Sequence, residues 1–157
     1  PVCLAMLLRM GLNPGKNNRK LPDMSEEALQ EYKRHPDAEL IVDNKVPLGQ
    51  DGTILSQCEW GRHQLIVDFS YNQYLEDSHP DRKGATTPDV ARIDCCHSEI
   101  HKHQFYKAGG QNRDIIQDLR YSGSIEEVEK VVNLHSMDCY NQMVDGWQSY
   151  LDLWKEA

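Results

Sequence analysis

From Gln64 to Tyr71 apolar and polar residues alternate almost without a break. Leu65, Val67, Phe69 and Tyr71 take one parity; Gln64, Ile66, Asp68 and Ser70 take the other. Successive side chains of a strand point to opposite faces, so this pattern demands a half-buried β-strand with the first set on the core side. Its neighbours follow suit. Residues 53–59 read as a partner strand joined to 63–71 near Trp60-Gly61-Arg62, and the apolar run Glu39-Leu40-Ile41-Val42 precedes it, with Asp51-Gly52 as the turn between. Residues 90–96 and 100–107 form a second hairpin. A turn at 108–112 leads to a last strand at 114–119. About five strands joined by short hairpins predict one central antiparallel sheet.

Helices are expected at both ends. Leu4, Leu7, Leu8 and Leu12 make one helical stripe, closed by Asn13-Pro14-Gly15. The apolar run 2–8 has no basic leader and is read as a short core helix rather than a signal peptide. After a basic loop at 16–20, Asp23-Met24-Ser25-Glu26 has the form of a capping box, predicting a helix over 24–34 that Pro36 stops. A second capping box, Ser124-Ile125-Glu126-Glu127, opens the C-terminal helix, with a break expected near Asn133 and a restart at Ser136. From there Met137, Tyr140, Val144, Trp147, Leu151 and Trp154 recur at steps of three and four. That seam is expected to pack on the sheet; the alternative is a homodimer seam or a groove where a protein partner docks. The fold class is therefore α+β in a single domain over 1–157, with a mobile connection at 75–89 around Pro80 and Pro88.

Charge and cysteines narrow the function classes. Twenty-five Asp and Glu against seventeen Lys and Arg give a net charge of −8 over 157 residues. A duplex-DNA binder needs cationic surface to displace counterions, so that class is disfavoured. No stretch is long and apolar enough to predict a membrane span. The five cysteines, Cys3, Cys58, Cys95, Cys96 and Cys139, are odd in number and match no disulfide spacing. Reduced thiols and a cytoplasmic location are expected.

The chemistry concentrates in residues 92–105, which hold three of the seven histidines. On a strand His101, His103 and Phe105 face the same way. What joins them depends on register. A two-residue turn at Ser98-Glu99 puts Cys96 opposite His101 and Asp94 opposite His103, a set suited to acid–base work. A three-residue turn at 98–100 puts His97 opposite His101 and Cys95 opposite His103. Cys95, His97, His101 and His103 then resemble a transition-metal site for an ion such as zinc. In the first case two imidazoles divide general base and general acid, Asp94 orients a ring, and Arg92 or Lys102 neutralises a phosphate. No cofactor is needed for that chemistry, and it suffices for RNA cleavage through the ribose 2′-hydroxyl.

Arg92-Ile93-Asp94, then His97, then His101-Lys102-His103 resembles the core motif of the TumE-type toxin family of toxin–antitoxin modules. In that pattern an R-aromatic-D strand precedes histidines and an H-K-H strand follows. The segment also resembles uncharacterised actinobacterial and phage proteins with an H-x-x-x-H-x-H-Q run. Cys95-Cys96 and the short spacing from His97 to His101 depart from the toxin pattern. The resemblance implies a bacterial, growth-inhibiting protein acting on RNA and neutralised by a partner. Arg92, Asp94, His97, His101, Lys102 and His103 are the residues it carries over.

Overall fold

The computed structural model describes residues 28–156. Six strands follow one another as a simple meander: β1 (Glu39–Pro47), β2 (Thr53–Arg62), β3 (Leu65–Leu75), β4 (Asp89–Cys96), β5 (Glu99–Phe105) and β6 (Gln111–Asp118). Each pairs antiparallel with the next, in spatial order β1 to β6. One helix, α1 (Ile125–Lys155), then crosses the sheet and contacts β3, β4 and β5. At 31 residues it is about 46 Å long, enough to span the sheet.

The strand alternation holds: Val67, Phe69, Tyr71, Gln73 and Leu75 are buried on β3. Of these, Phe69, Tyr71 and Leu75 join Leu55, Ile93 and Ile100 and meet Val132, Met143, Leu151 and Trp154 of the helix in a single core. Polar side chains lock the helix to the sheet along its length. The Arg62 guanidinium donates to both carboxylate oxygens of Glu129 at 2.9 and 3.0 Å, and Glu129 is 1% exposed. The backbone N–H of Ile66 donates to the Asn133 side chain at 2.9 Å, and the Gln73 and Gln104 amides donate to the carbonyls of Trp147 and Tyr150 at 3.0 and 3.1 Å.

Several expectations change. Among the described residues there are six strands rather than about five, and no helix precedes the sheet. The helix expected over 2–12 lies outside the described residues. Of the one expected over 24–34, residues 28–34 are not helical. Gln30 pairs instead with Tyr121, and the Tyr32 hydroxyl donates to the Val67 carbonyl. These long-range bonds satisfy the backbone that a helix would have satisfied locally. The break near Asn133 is absent, because that side chain turns outward to β3 rather than competing for its own helix backbone. The aromatic seam packs on the sheet through Trp154, Leu151 and the partly buried Tyr140, Val144 and Trp147, whereas Met137 is 62% exposed. The connection at 75–89 carries a single 3-10 turn at Pro80–Arg82, whose N-terminus is capped by the His79 ring accepting from the Asp81 N–H.

Two of the five hairpin connections turn at other residues than expected. β2 and β3 are joined by His63-Gln64, with φ of 50° and 64°, and β4 and β5 by His97-Ser98, with φ of 54° and 60°. Two left-handed residues in a two-residue loop make the type I′ geometry whose twist matches the strands it joins.

Candidate functional site

The His97-Ser98 turn sets the register that builds the site. Cys96 pairs with Glu99, Asp94 with His101, and Arg92 with His103. Neither expected register is realised, but the face shared by Asp94, His101 and His103 is the one expected from the two-residue turn. Because Ile93 and Ile100 belong to the core under the helix, the residues alternating with them lie on the face turned away from it. β3 adds Asp68, Ser70 and Asn72 to that face, since Ser70 pairs with Asp94 and Asn72 with Arg92. β6 adds Arg113, opposite His103, and Ile115, opposite His101.

The two imidazoles sit edge to face with ring centroids 4.7 Å apart, and His103 stacks on Phe105 at 5.7 Å. The Oδ1 oxygen of Asp94 lies 3.2 Å from Nε2 of His101, and its Oδ2 lies 2.7 Å from Nε of Arg92. The Arg92 guanidinium in turn stands 5.6 Å over the Phe105 ring. Cys96 Sγ is 3.6 Å from the same His101 Nε2. His101 is 1% exposed and His103 7%, while Cys96 is exposed at the end of its strand. Buried Asp94 Oδ1 and both Nδ1 atoms of His101 and His103 have no hydrogen-bond partner. Buried polar atoms are seldom left so, and the cluster therefore has lone pairs and donors open to a further partner.

The electrostatics follow from that placement. Burial lowers the pKa of His101, against the opposing pull of the Asp94 carboxylate. His103 is lowered by burial and by the Arg92 cation. Both rings therefore favour the neutral form at pH 7. Burial, together with the hydrogen bond and charge of Asp94, pushes the Cys96 thiol up to about 12. Beside the cluster opens a cavity of about 230 Å³ lined by Trp60, Asp68, Ser70, Arg92, Asp94 and Cys96. Burial raises Asp68 to about 6, although Arg34 donates to it at 2.8 Å and stacks 4.3 Å over Trp60. The cavity reaches Asp94 and Cys96; neither imidazole lines it.

Of the expected site residues, the structure brings together Arg92, Asp94, His101 and His103. It separates the others. Cys95 pairs with Ile100 and belongs to the helix side of β4, where burial and Asp68 raise its thiol well above the ordinary range. Lys102 alternates with the imidazoles and lies on the helix side, 5.8 Å over the Tyr150 ring. His97 is an exposed turn residue. The metal set Cys95, His97, His101 and His103 is thus dispersed by the two-residue turn. The group whose ligand atoms do converge, all within 4.8 Å of one another, is Asp94, Cys96 and His101, and it could hold a metal ion. Arg113 and Trp60 were not foreseen at the site. Arg113 stands in the polar run Gln111-Asn112-Arg113-Asp114, which carries no strand signal, and Trp60 was assigned to a turn that falls three residues later.

An antiparallel α+β sheet with one helix-covered face and a histidine–aspartate–arginine cluster on the other is the class these features define. Comparison of the chain with protein-family models, curated proteins and solved structures finds no match. Among the described residues no helix is long and apolar enough to cross a membrane.

Proposed function

We propose that this protein cleaves RNA by acid–base catalysis at the Arg92–Asp94–His101–His103 cluster. The observation that carries the reading is the pair of imidazoles 4.7 Å apart with Asp94 3.2 Å from one of them. The charge of Asp94, 3.2 Å from Nε2 though not in line with an N–H, favours the His101 tautomer with hydrogen on Nε2 and leaves Nδ1, which has no partner, as the base for a ribose 2′-hydroxyl. The 2′-oxygen attacks phosphorus, a 2′,3′-cyclic phosphate forms, and the 5′-oxygen leaves with a proton from the imidazolium fraction of His103, a form that the incoming phosphate anion stabilises. Arg92, partly exposed at the mouth of the cavity, faces the non-bridging phosphate oxygens, and Trp60 offers a ring on which a base can stack. His101 and His103 are buried and do not line the cavity, so entry of the phosphate requires side chains of the site to move, starting with Arg92, which must leave Asp94 to bind the phosphate. The likeness to TumE-type toxins supports a growth-inhibiting role in a bacterial cytoplasm with a neutralising protein partner.

Expression of wild type and of the double variant His101→Ala/His103→Ala in bacterial cells tests this, read as growth and as integrity of total RNA. Wild type should slow growth and degrade RNA, and the double variant, equally folded by circular dichroism, should do neither. Equal toxicity of the two, or intact RNA with both, contradicts the reading and leaves a non-enzymatic interaction module.

A further inference from the structure

We propose that Asp94, Cys96 and His101 form a zinc site of three protein ligands, with a fourth position open to the neighbouring cavity, and that zinc bound there switches the cluster off. The binding half stands on geometry alone; the switching half rests on the cleavage proposed above.

Three features of the cluster point to a metal. The first is separation. Zinc bonds of about 2.0 Å to nitrogen and oxygen and about 2.3 Å to sulfur, at tetrahedral angles, place N and O about 3.3 Å apart and N and S about 3.5 Å apart. His101 Nε2 lies 3.2 Å from Asp94 Oδ1 and 3.6 Å from Cys96 Sγ. The second is direction. Asp94 Oδ1 is buried and has no hydrogen-bond donor, even with Nε2 of His101 at that short distance. The two atoms approach without an in-line N–H between them, as two ligands of a common ion do. The third is access. Asp94 and Cys96 line the 230 Å³ cavity, so an ion and its fourth ligand, a water, can enter from solvent. Imidazole, thiolate and carboxylate together suit zinc or cobalt(II) over magnesium or calcium, which prefer all-oxygen shells.

Loading is a proton exchange. The Cys96 thiol gives up its proton to solvent as sulfur bonds the ion. At His101 the Nε2 lone pair goes to the metal and the ring hydrogen moves to Nδ1. The atom proposed as the base then carries a proton, and cleavage stops.

Titration of the metal-free protein with cobalt(II), followed by visible and near-ultraviolet absorption, tests the site. Wild type should bind one ion per chain with the visible spectrum of a tetrahedral centre and a near-ultraviolet sulfur-to-cobalt band. Cys96→Ser, at an exposed position, should keep the fold, lose that band and bind at least about tenfold more weakly. Asp94→Asn should also weaken binding while retaining the sulfur band. Absence of the band in wild type, or its persistence in Cys96→Ser, overturns the site. RNA cleavage assayed with and without zinc tests the switch: inhibition lost in Cys96→Ser supports it, and full activity of the zinc-loaded protein refutes it. If no RNA cleavage occurs at all, the proposed function fails while the cobalt titration still decides the metal site.

Discussion

Replacing His97 by asparagine together with Ser98 by glycine should stabilise the protein by about 1–2 kcal/mol and leave the site working. Both residues are held left-handed, at φ of 54° and 60°. That conformation costs an ordinary L residue roughly 1–2 kcal/mol, and Asn-Gly relieves most of it at both positions. Two losses offset part of the gain. The new glycine adds freedom to the unfolded chain, worth about 0.4–1 kcal/mol. The Ser98 hydroxyl gives up a bond to the Tyr32 carbonyl that, at 3.4 Å, lies at the outer limit of hydrogen bonding and contributes well under about 1 kcal/mol. For a chain of this size the net gain corresponds to a rise in Tm of roughly 2–8 °C. Urea unfolding and thermal denaturation monitored by circular dichroism measure it. Unchanged or lower stability would refute a two-residue turn at 97–98, and with it the pairing of Asp94 with His101. Retained RNA cleavage would show that His97 serves the turn and not the chemistry.

Other outcomes follow from the same physics. Arg62→Met leaves Glu129 charged and buried under the helix and should cost about 3–5 kcal/mol in urea unfolding, most of it recovered in Arg62→Met/Glu129→Leu. His101 and His103 have pKa values below the 6.5 of the unfolded chain, so the unfolded state takes up protons first on acidification. Their contribution is complete above about pH 6.5 and is lost as pH falls through the folded values, and His101→Gln/His103→Gln should flatten that part of the stability profile. Asp68 has the opposite sign: its rise from 3.8 to about 6 means that stability falls as pH climbs through that interval, by about 3 kcal/mol, and Asp68→Asn should remove the fall.

What could be read from the residues was whatever a local period encodes. The alternation of β3 names its core face residue by residue, and the three-and-four spacing of α1 finds Leu151 and Trp154 under the sheet. Hairpin turns were harder. The usual marker of a type I′ turn is Asn-Gly or Asp-Gly, and this chain uses His63-Gln64 and His97-Ser98, which carry no such mark. Glycine and tryptophan at 60–61 drew the first turn too early, and a two-residue shift at the second changed which residues stand opposite His101. Parity survived that shift, so Asp94, His101 and His103 were grouped correctly while their partners were not. Cys95 and Lys102 were lost from the site for the same reason in reverse, since each lies one residue out of phase with it. The segment 28–34 shows the limit of capping signals: the pairing of Gln30 with Tyr121 and the anchoring of Tyr32 are tertiary, and nothing within ten residues announces them.

The most direct test of the account is the fate of a short single-stranded RNA incubated with purified, metal-free protein, with products resolved by mass. Wild type should yield fragments ending in 2′,3′-cyclic phosphate and spare the same oligonucleotide made as DNA, and His101→Ala should be inactive while unfolding as cooperatively as wild type. Intact RNA, cleavage of the DNA strand, or undiminished cleavage by His101→Ala would contradict the claim that these imidazoles and Asp94 form the working centre.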